Sequence, residues 1–168
     1  MTKKHKTILV LSPEGFPISH CTEERADVLL VNKRASRIND TTIRIKETKQ
    51  ERKKKMKDII KESGRKCYIC GEIIPDDEPP TIDHIIPKSR DKYADVYENM
   101  RCCCSRCNND KENRKPVEYI KHILKHRNKY DYLSEDRLNY FARFSVEYEK
   151  NWEENKKVRI TDTIQIRD

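Results

Sequence analysis

Apolar residues in this chain come in short bursts, and each burst has the period of a recognisable element. TILVL at 7–11 is a continuous apolar run closed by the turn-forming SPEG, the pattern of a buried strand, and FPISH supplies a possible partner strand. Thr22 then stands as the N-cap of a helix through about Asn32, with Ala26, Leu29 and Leu30 on its inward side. From Arg34 to Ile45 the chain alternates loosely, and Ile38, Ile43 and Ile45 predict one or two further strands. A helix follows from about Glu47 to Ser63, its short apolar stripe made by Met56, Ile59 and Ile60 and its stop by Gly64.

The second half is mostly helical in pattern. Lys111 to about Tyr130 reads as a helix with Ile120, Ile123 and Leu124 as its apolar face, and Pro116 predicts a kink or a fresh start at an N1 position. Ser134 caps a further helix to about Lys156, with Glu135 and Asp136 in the first turn and lysines at the end, both matched to the helix dipole. Along it Tyr140, Phe144, Tyr148 and Trp152 recur every four residues, a stripe read as core packing. Val158, Ile160, Ile164 and Ile166 alternate with polar residues and predict a final strand able to pair with the N-terminal sheet.

Composition narrows the class. Of the 168 residues 35% are hydrophobic and 39% charged, so the apolar core is thin and a bound metal is expected to support folding. No apolar run approaches the roughly 20 residues that span a bilayer, and the run after Lys6 is too short for a secretory signal. The expectation is a cytoplasmic, intracellular protein with no membrane partner. The formal charge is +8, and the segment from Arg44 to Lys66 alone carries a net +7. Such density just before the central stretch points to a phosphate-rich partner, with Lys53, Lys54, Lys55 and Lys57 as the contacting residues.

The chemistry is concentrated between Lys66 and Lys111. Cys67 and Cys70 form one Cys-x-x-Cys pair and Cys104 and Cys107 a second, the spacing at which tight turns aim four thiolates at one tetrahedral zinc about 2.3 Å away. Disulfides are the competing reading, and the absence of a secretory signal favours metal. Cys103 with Cys107 is an alternative second pair, and CxxCN favours Cys104. Between the pairs lies TIDHIIP, and after it come ENM at 98–100 and CNNDK at 107–111. An imidazole titrates near working pH and suits a general base, while an Asp carboxylate and an Asn carbonyl are oxygen ligands of the kind a hard divalent cation takes. His122 and His126 also stand at metal-binding spacing, but with no third ligand nearby they read as a solvated or DNA-facing pair.

This series of CxxC, DHIIP, an Asn before a strand-like run, and CxxCNxxK resembles the zinc-containing branch of the HNH nucleases. The resemblance implies a ββα-metal unit with Asp83-His84 at the end of its first strand, Asn99 in the loop before the second and Asn108 on the helix. It implies that His84 is the general base, that Asp83 and Asn108 ligate a catalytic Mg²⁺ or Mn²⁺, and that Asn99 shapes the loop. Lys111 is a candidate phosphate contact. One departure is the loop SRDKYADVY at 89–97, where many relatives carry a Gly pair. The layout of residues 7–45 is also similar to a small α/β module that precedes the HNH domain in some transposon-encoded and phage-like nucleases.

The expectation is therefore an α+β protein: an N-terminal α/β module at 1–45, a basic helix and linker at 46–65, a zinc-stapled HNH nuclease domain at 66–130, and a C-terminal helix and strand at 131–168. Its expected activity is metal-dependent hydrolysis of DNA phosphodiester bonds, with structural zinc. A noncatalytic zinc-knuckle protein that binds nucleic acid is the alternative, and a nuclease acting mainly on RNA is a third reading.

Overall fold

The computed structural model describes residues 7–165, which divide into two compact units, one of residues 7–55 with 157–165 and one of residues 56–156. The fold is α+β, and its described residues form a four-stranded sheet, a two-stranded sheet and five α-helices.

In the first unit, strands β1 (Thr7–Leu11) and β2 (Pro17–Thr22) form a hairpin, helix α1 (Glu23–Val31) follows, and β3 (Ala35–Asn39) and β4 (Thr42–Ile45) form a second hairpin. The sheet order is β2-β1-β4-β3, with β1 and β4 parallel at its centre. The centre is the most apolar part of the sequence because it is covered on a face: Ile8, Val10 and Ile43 pack with Ala26, Leu29 and Ala35. Thr22 caps α1 as the sequence predicts, its Oγ1 accepting from Arg25 N at 3.2 Å. Ile38 is in a strand but faces solvent, 47% exposed.

Helix α2 spans Lys49–Glu62. A reciprocal cap sets its start: Thr48 Oγ1 accepts from Glu51 N at 3.2 Å and Glu51 Oε2 accepts from Thr48 N at 2.7 Å. None of its residues is fully buried, and Met56, Ile59 and Ile60 are half-buried as the narrow stripe requires.

The second unit is built on a two-stranded antiparallel sheet, β5 (Thr81–His84) and β6 (Met100–Cys103), followed by helix α3 (Ser105–Lys111). Register pairs Asp83 with Arg101 and His84 with Met100. The helix expected over 111–130 is instead two pieces. Lys111 closes α3, Glu112 takes φ 52°, and α4 (Pro116–Lys125) restarts with Pro116 at its first position, where the missing N–H costs no hydrogen bond. Helix α5 runs Glu135–Gln165. The strand expected over 158–166 is thereby replaced by helix as far as Gln165, while Ile166 lies outside the described residues. The alternation breaks at Asp162, no turn residue separates 156 from 158, and Ile160 and Ile164 are spaced i, i+4, so the helix simply continues.

Two apolar clusters hold this unit. The larger wraps the cysteines with Ile69, Tyr119, Ile123, Leu138 and Phe141, and the smaller seats Trp152 against Ile86, Ala94 and Val96. The aromatic stripe of α5 is only partly core: Trp152 is 5% exposed, but Tyr140 is 51% exposed.

Candidate active site and four-cysteine centre

The two CxxC pairs meet. Sγ atoms of Cys67, Cys70, Cys104 and Cys107, all buried, lie within 4.8 Å of one another, and every cysteine is a free thiol, which removes the disulfide reading. Local backbone aims them. Cys67 sits in a tight turn where Gly71 N donates to Cys67 O at 2.9 Å with Gly71 at φ +81°, and Cys104 is the N-cap of α3, its Sγ accepting from Cys107 N at 3.5 Å. Tetrahedral zinc with bonds of about 2.3 Å sets sulfurs roughly 3.8 Å apart, within this spread, so the donor set fits structural zinc. Cys103 is a buried neighbour whose Sγ is 3.7 Å from Cys67 Sγ, outside the four-ligand group.

Electrostatics of Cys67, Cys70 and Cys107 agree with a cation site. Hydrogen bonds from Cys103, Cys107 and Cys70 hold the Cys67 thiol far below the usual range. The Cys107 thiol is pushed far up, by donating to Cys67 and Cys70 and by burial. Cys70 is pushed up to about 11, because its bond to Cys67 and burial outweigh the lowering bond from Cys107. One thiolate thus satisfies itself on its neighbours and disfavours a second, until a divalent ion compensates the charge.

Asp83 and His84 are successive residues of β5, so their side chains leave opposite faces of the strand. Asp83 is 6% exposed and both its oxygens have partners: Tyr68 Oη donates to its Oδ2 at 2.5 Å, and Lys111 Nζ lies 3.1 Å from Oδ1 and 2.9 Å from Oδ2. Burial, with the adjacent Asp83 charge, pushes the Tyr68 hydroxyl well above its ordinary value, which keeps it a donor. Lys111 also donates to His84 O at 3.0 Å and is 0% exposed. A phosphate contact needs a solvent-facing ammonium, and this one is instead spent inside the fold, at the last position of a seven-residue helix turned onto β5.

His84 Nε2 is 3.3 Å from Asp95 Oδ1, with side chains 13% and 18% exposed. Asp95 belongs to the loop that Asn99 pins. Asn99 is wholly buried, accepts from Ile86 N at 2.8 Å and from Tyr148 Oη at 3.1 Å, and donates to Ile86 O and Ala94 O, each at 2.8 Å. Its four bonds tie the strand leaving His84 to the loop carrying Asp95, in a segment with no Gly pair. Asn108 lies on α3, where its amide NH₂ donates to Thr81 Oγ1 at 3.0 Å and its carbonyl oxygen keeps ligand chemistry.

Sequence reasoning missed Tyr68, Thr81 and Asp95. Tyr68 lies inside the first knuckle and Asp95 four residues before Asn99, but only pairing of distant segments reveals their partners. Lys53, Lys54, Lys55 and Lys57 are exposed on α2, with Lys55 also paired to Glu47 at 3.0 Å. His122 and His126 lie with their rings tilted at 51° and 4.7 Å between centroids, and among the described residues the cysteines alone form a group of three or more metal-competent side chains. No helix among the described residues is long and apolar enough to cross a membrane.

No curated protein matches the chain. Residues 67–114 match a family model described as HNH endonuclease, and this span contains both knuckles, Asp83, His84, Asn99 and Asn108. The match places the HNH likeness between Cys67 and Arg114, and the four-cysteine cluster inside it fits a zinc-binding variant of that family.

Proposed function

We propose that the protein is a metal-dependent endonuclease that hydrolyses DNA phosphodiester bonds, with His84 as general base. The observation that carries this reading is the His84–Asp95 contact, held in a loop that buried Asn99 fixes at both ends. A carboxylate at Nε2 favours the tautomer with its proton there, so Nδ1 carries the lone pair that takes a proton from water. The water oxygen forms the new bond to phosphorus, the P–O3′ bond breaks, and the proton ends on His84, which Asp95 stabilises as imidazolium. Asp83 and Asn108 would be the oxygen donors for one Mg²⁺ or Mn²⁺, and a bound cation there would offset charge on the phosphate and the departing oxygen. Asp83 fits this role through the unused lone pair of Oδ1, while Lys111 and Tyr68 fix its orientation. The basic residues Lys53, Lys54, Lys55 and Lys57 would meet the DNA backbone.

The Lys111 ammonium across Asp83 favours the rival reading in one respect, since a carboxylate already paired has a purely structural use in a noncatalytic zinc-knuckle protein. Zinc-loaded protein incubated with supercoiled plasmid, with and without added Mg²⁺ or Mn²⁺, separates the two. Cleavage is expected only with the added cation and is expected to fall about 10² to 10⁴-fold in His84→Ala at unchanged zinc content. Wild-type rates in His84→Ala would refute the mechanism, and a wild type inert with both cations would favour the binding protein.

A further inference from the structure

A cleft of about 230 Å³ opens in the second unit and no step above uses it. Its lining combines three cations, Lys66, Arg101 and Arg137, with three aromatic rings, Tyr68, Tyr140 and Phe144, and includes no carboxylate. The cations are placed by the fold. Arg137 Nε donates to Ile69 O at 2.8 Å and its Nη2 donates to Tyr68 O, so its guanidinium is seated on the backbone of the first knuckle. Gly71 makes room for it: a Cβ there would lie 2.9 Å from Arg137 Nε. Arg101 spends Nη1 on the carbonyls of Glu98 and Met100 and has further donors, and Lys66 is exposed.

Tyr140 is available as a surface. Tyr140 is 51% exposed, with the Arg137 guanidinium 4.7 Å from its ring centroid, and Phe144 meets Tyr68 edge to face at 6.0 Å. The cleft also adjoins the Asp83 face of the candidate site. Tyr68 lines it and bonds Asp83, and Arg101 is the register partner of Asp83, so both side chains leave the same face of the β5–β6 hairpin.

A ligand for such a surface carries negative charge and a flat π-face together. We propose that this cleft holds an unpaired nucleotide of the substrate DNA strand on the Asp83 face of the β5–β6 hairpin, its base on Tyr140 and its phosphate on Lys66 and Arg101. Base-paired DNA hides both faces of each base in the stack, so the cleft selects single-stranded or locally opened DNA. The proposal rests on the nuclease reading only for the identity of the strand as substrate.

The test measures binding apart from cleavage, by fluorescence anisotropy of a labelled single strand and of the duplex of the same sequence, on zinc-loaded protein without added Mg²⁺. Tyr140→Ala is expected to raise the single-strand Kd about 5- to 100-fold, the range that one base–aromatic stack allows, and the duplex Kd less than about twofold. Tyr140→Phe keeps the ring and is expected to bind like wild type, which separates stacking from misfolding. Arg101→Gln is expected to flatten the single-strand salt slope by about 0.7, one phosphate contact. An unchanged single-strand Kd in Tyr140→Ala, an equal loss on duplex, or no single-strand binding by the wild type would overturn the proposal. Binding that follows this pattern in a protein unable to cut plasmid would sink the nuclease reading and leave the cleft assignment standing.

Discussion

Removing the carboxylate of Asp83 should unfold more than it inactivates. Lys111 is 0% exposed and its ammonium rests on Asp83, whose side chain is 8% exposed, so Asp83→Ala strands a buried positive charge with only His84 O as acceptor. Breaking one side of a buried ion pair typically costs about 3–5 kcal/mol, a large share of the roughly 5–15 kcal/mol that holds a domain together. For a unit near 100 residues, at about 4 °C or more per kcal/mol, the melting temperature should drop by about 12 °C or more. Lys111→Met should also destabilise, leaving the carboxylate with Tyr68 as its remaining partner. The double variant carries no stranded charge, and it should be more stable than Asp83→Ala alone by at least about 2 kcal/mol. Urea unfolding of zinc-loaded protein, followed by the fluorescence of the sole tryptophan, Trp152, buried in the same unit, measures all four proteins. A double variant as unstable as the sum of the single losses would refute the ion-pair argument. Loss of cleavage in Asp83→Ala then counts as loss of a cation ligand only at temperatures where the variant remains folded.

Three further outcomes are expected. Cys70→Ser and Cys107→Ser should each lose the bound zinc and the cooperative unfolding of the second unit, and full zinc occupancy by metal analysis in both would defeat the four-ligand assignment. Burial raises the Asp91 carboxyl, but hydrogen bonds from Trp152 Nε1, Tyr93 N and Lys156 Nζ outweigh it and hold the group below its ordinary value. The unfolded chain therefore binds that proton more readily, so the stability gap between wild type and Asp91→Asn should be full above about pH 5 and shrink as pH falls through the usual Asp value near 3.9; a gap constant down to pH 3 would contradict this. Replacing Lys53, Lys54, Lys55 and Lys57 by Gln should weaken DNA binding and lower its salt slope while zinc content stays constant, and an unchanged slope would make α2 a merely solvated face.

Much of this protein is legible in its sequence because the decisive signals are local. Two residues between paired cysteines fix a tight turn, Thr22 and Pro116 mark helix starts by their own backbone chemistry, and TILVL has the apolar density of a central strand. Motif order does the rest, placing Asp83 and His84 on β5, Asn99 just before β6 and Asn108 on α3. What stays hidden depends on which distant segments meet. Lys111 looks like any helix lysine until β5 brings Asp83 and the His84 carbonyl to its ammonium. Asp95 gains significance only because Asn99 folds its loop back onto the strand carrying His84. Tyr140 belongs to the same i, i+4 stripe as Trp152, yet one is half exposed and the other buried, because the partner covering each turn of α5 is set by packing and not by period. Sequence determines local conformation and the supply of chemical groups, whereas burial and long-range pairing determine which of those groups hold the fold and which face a substrate.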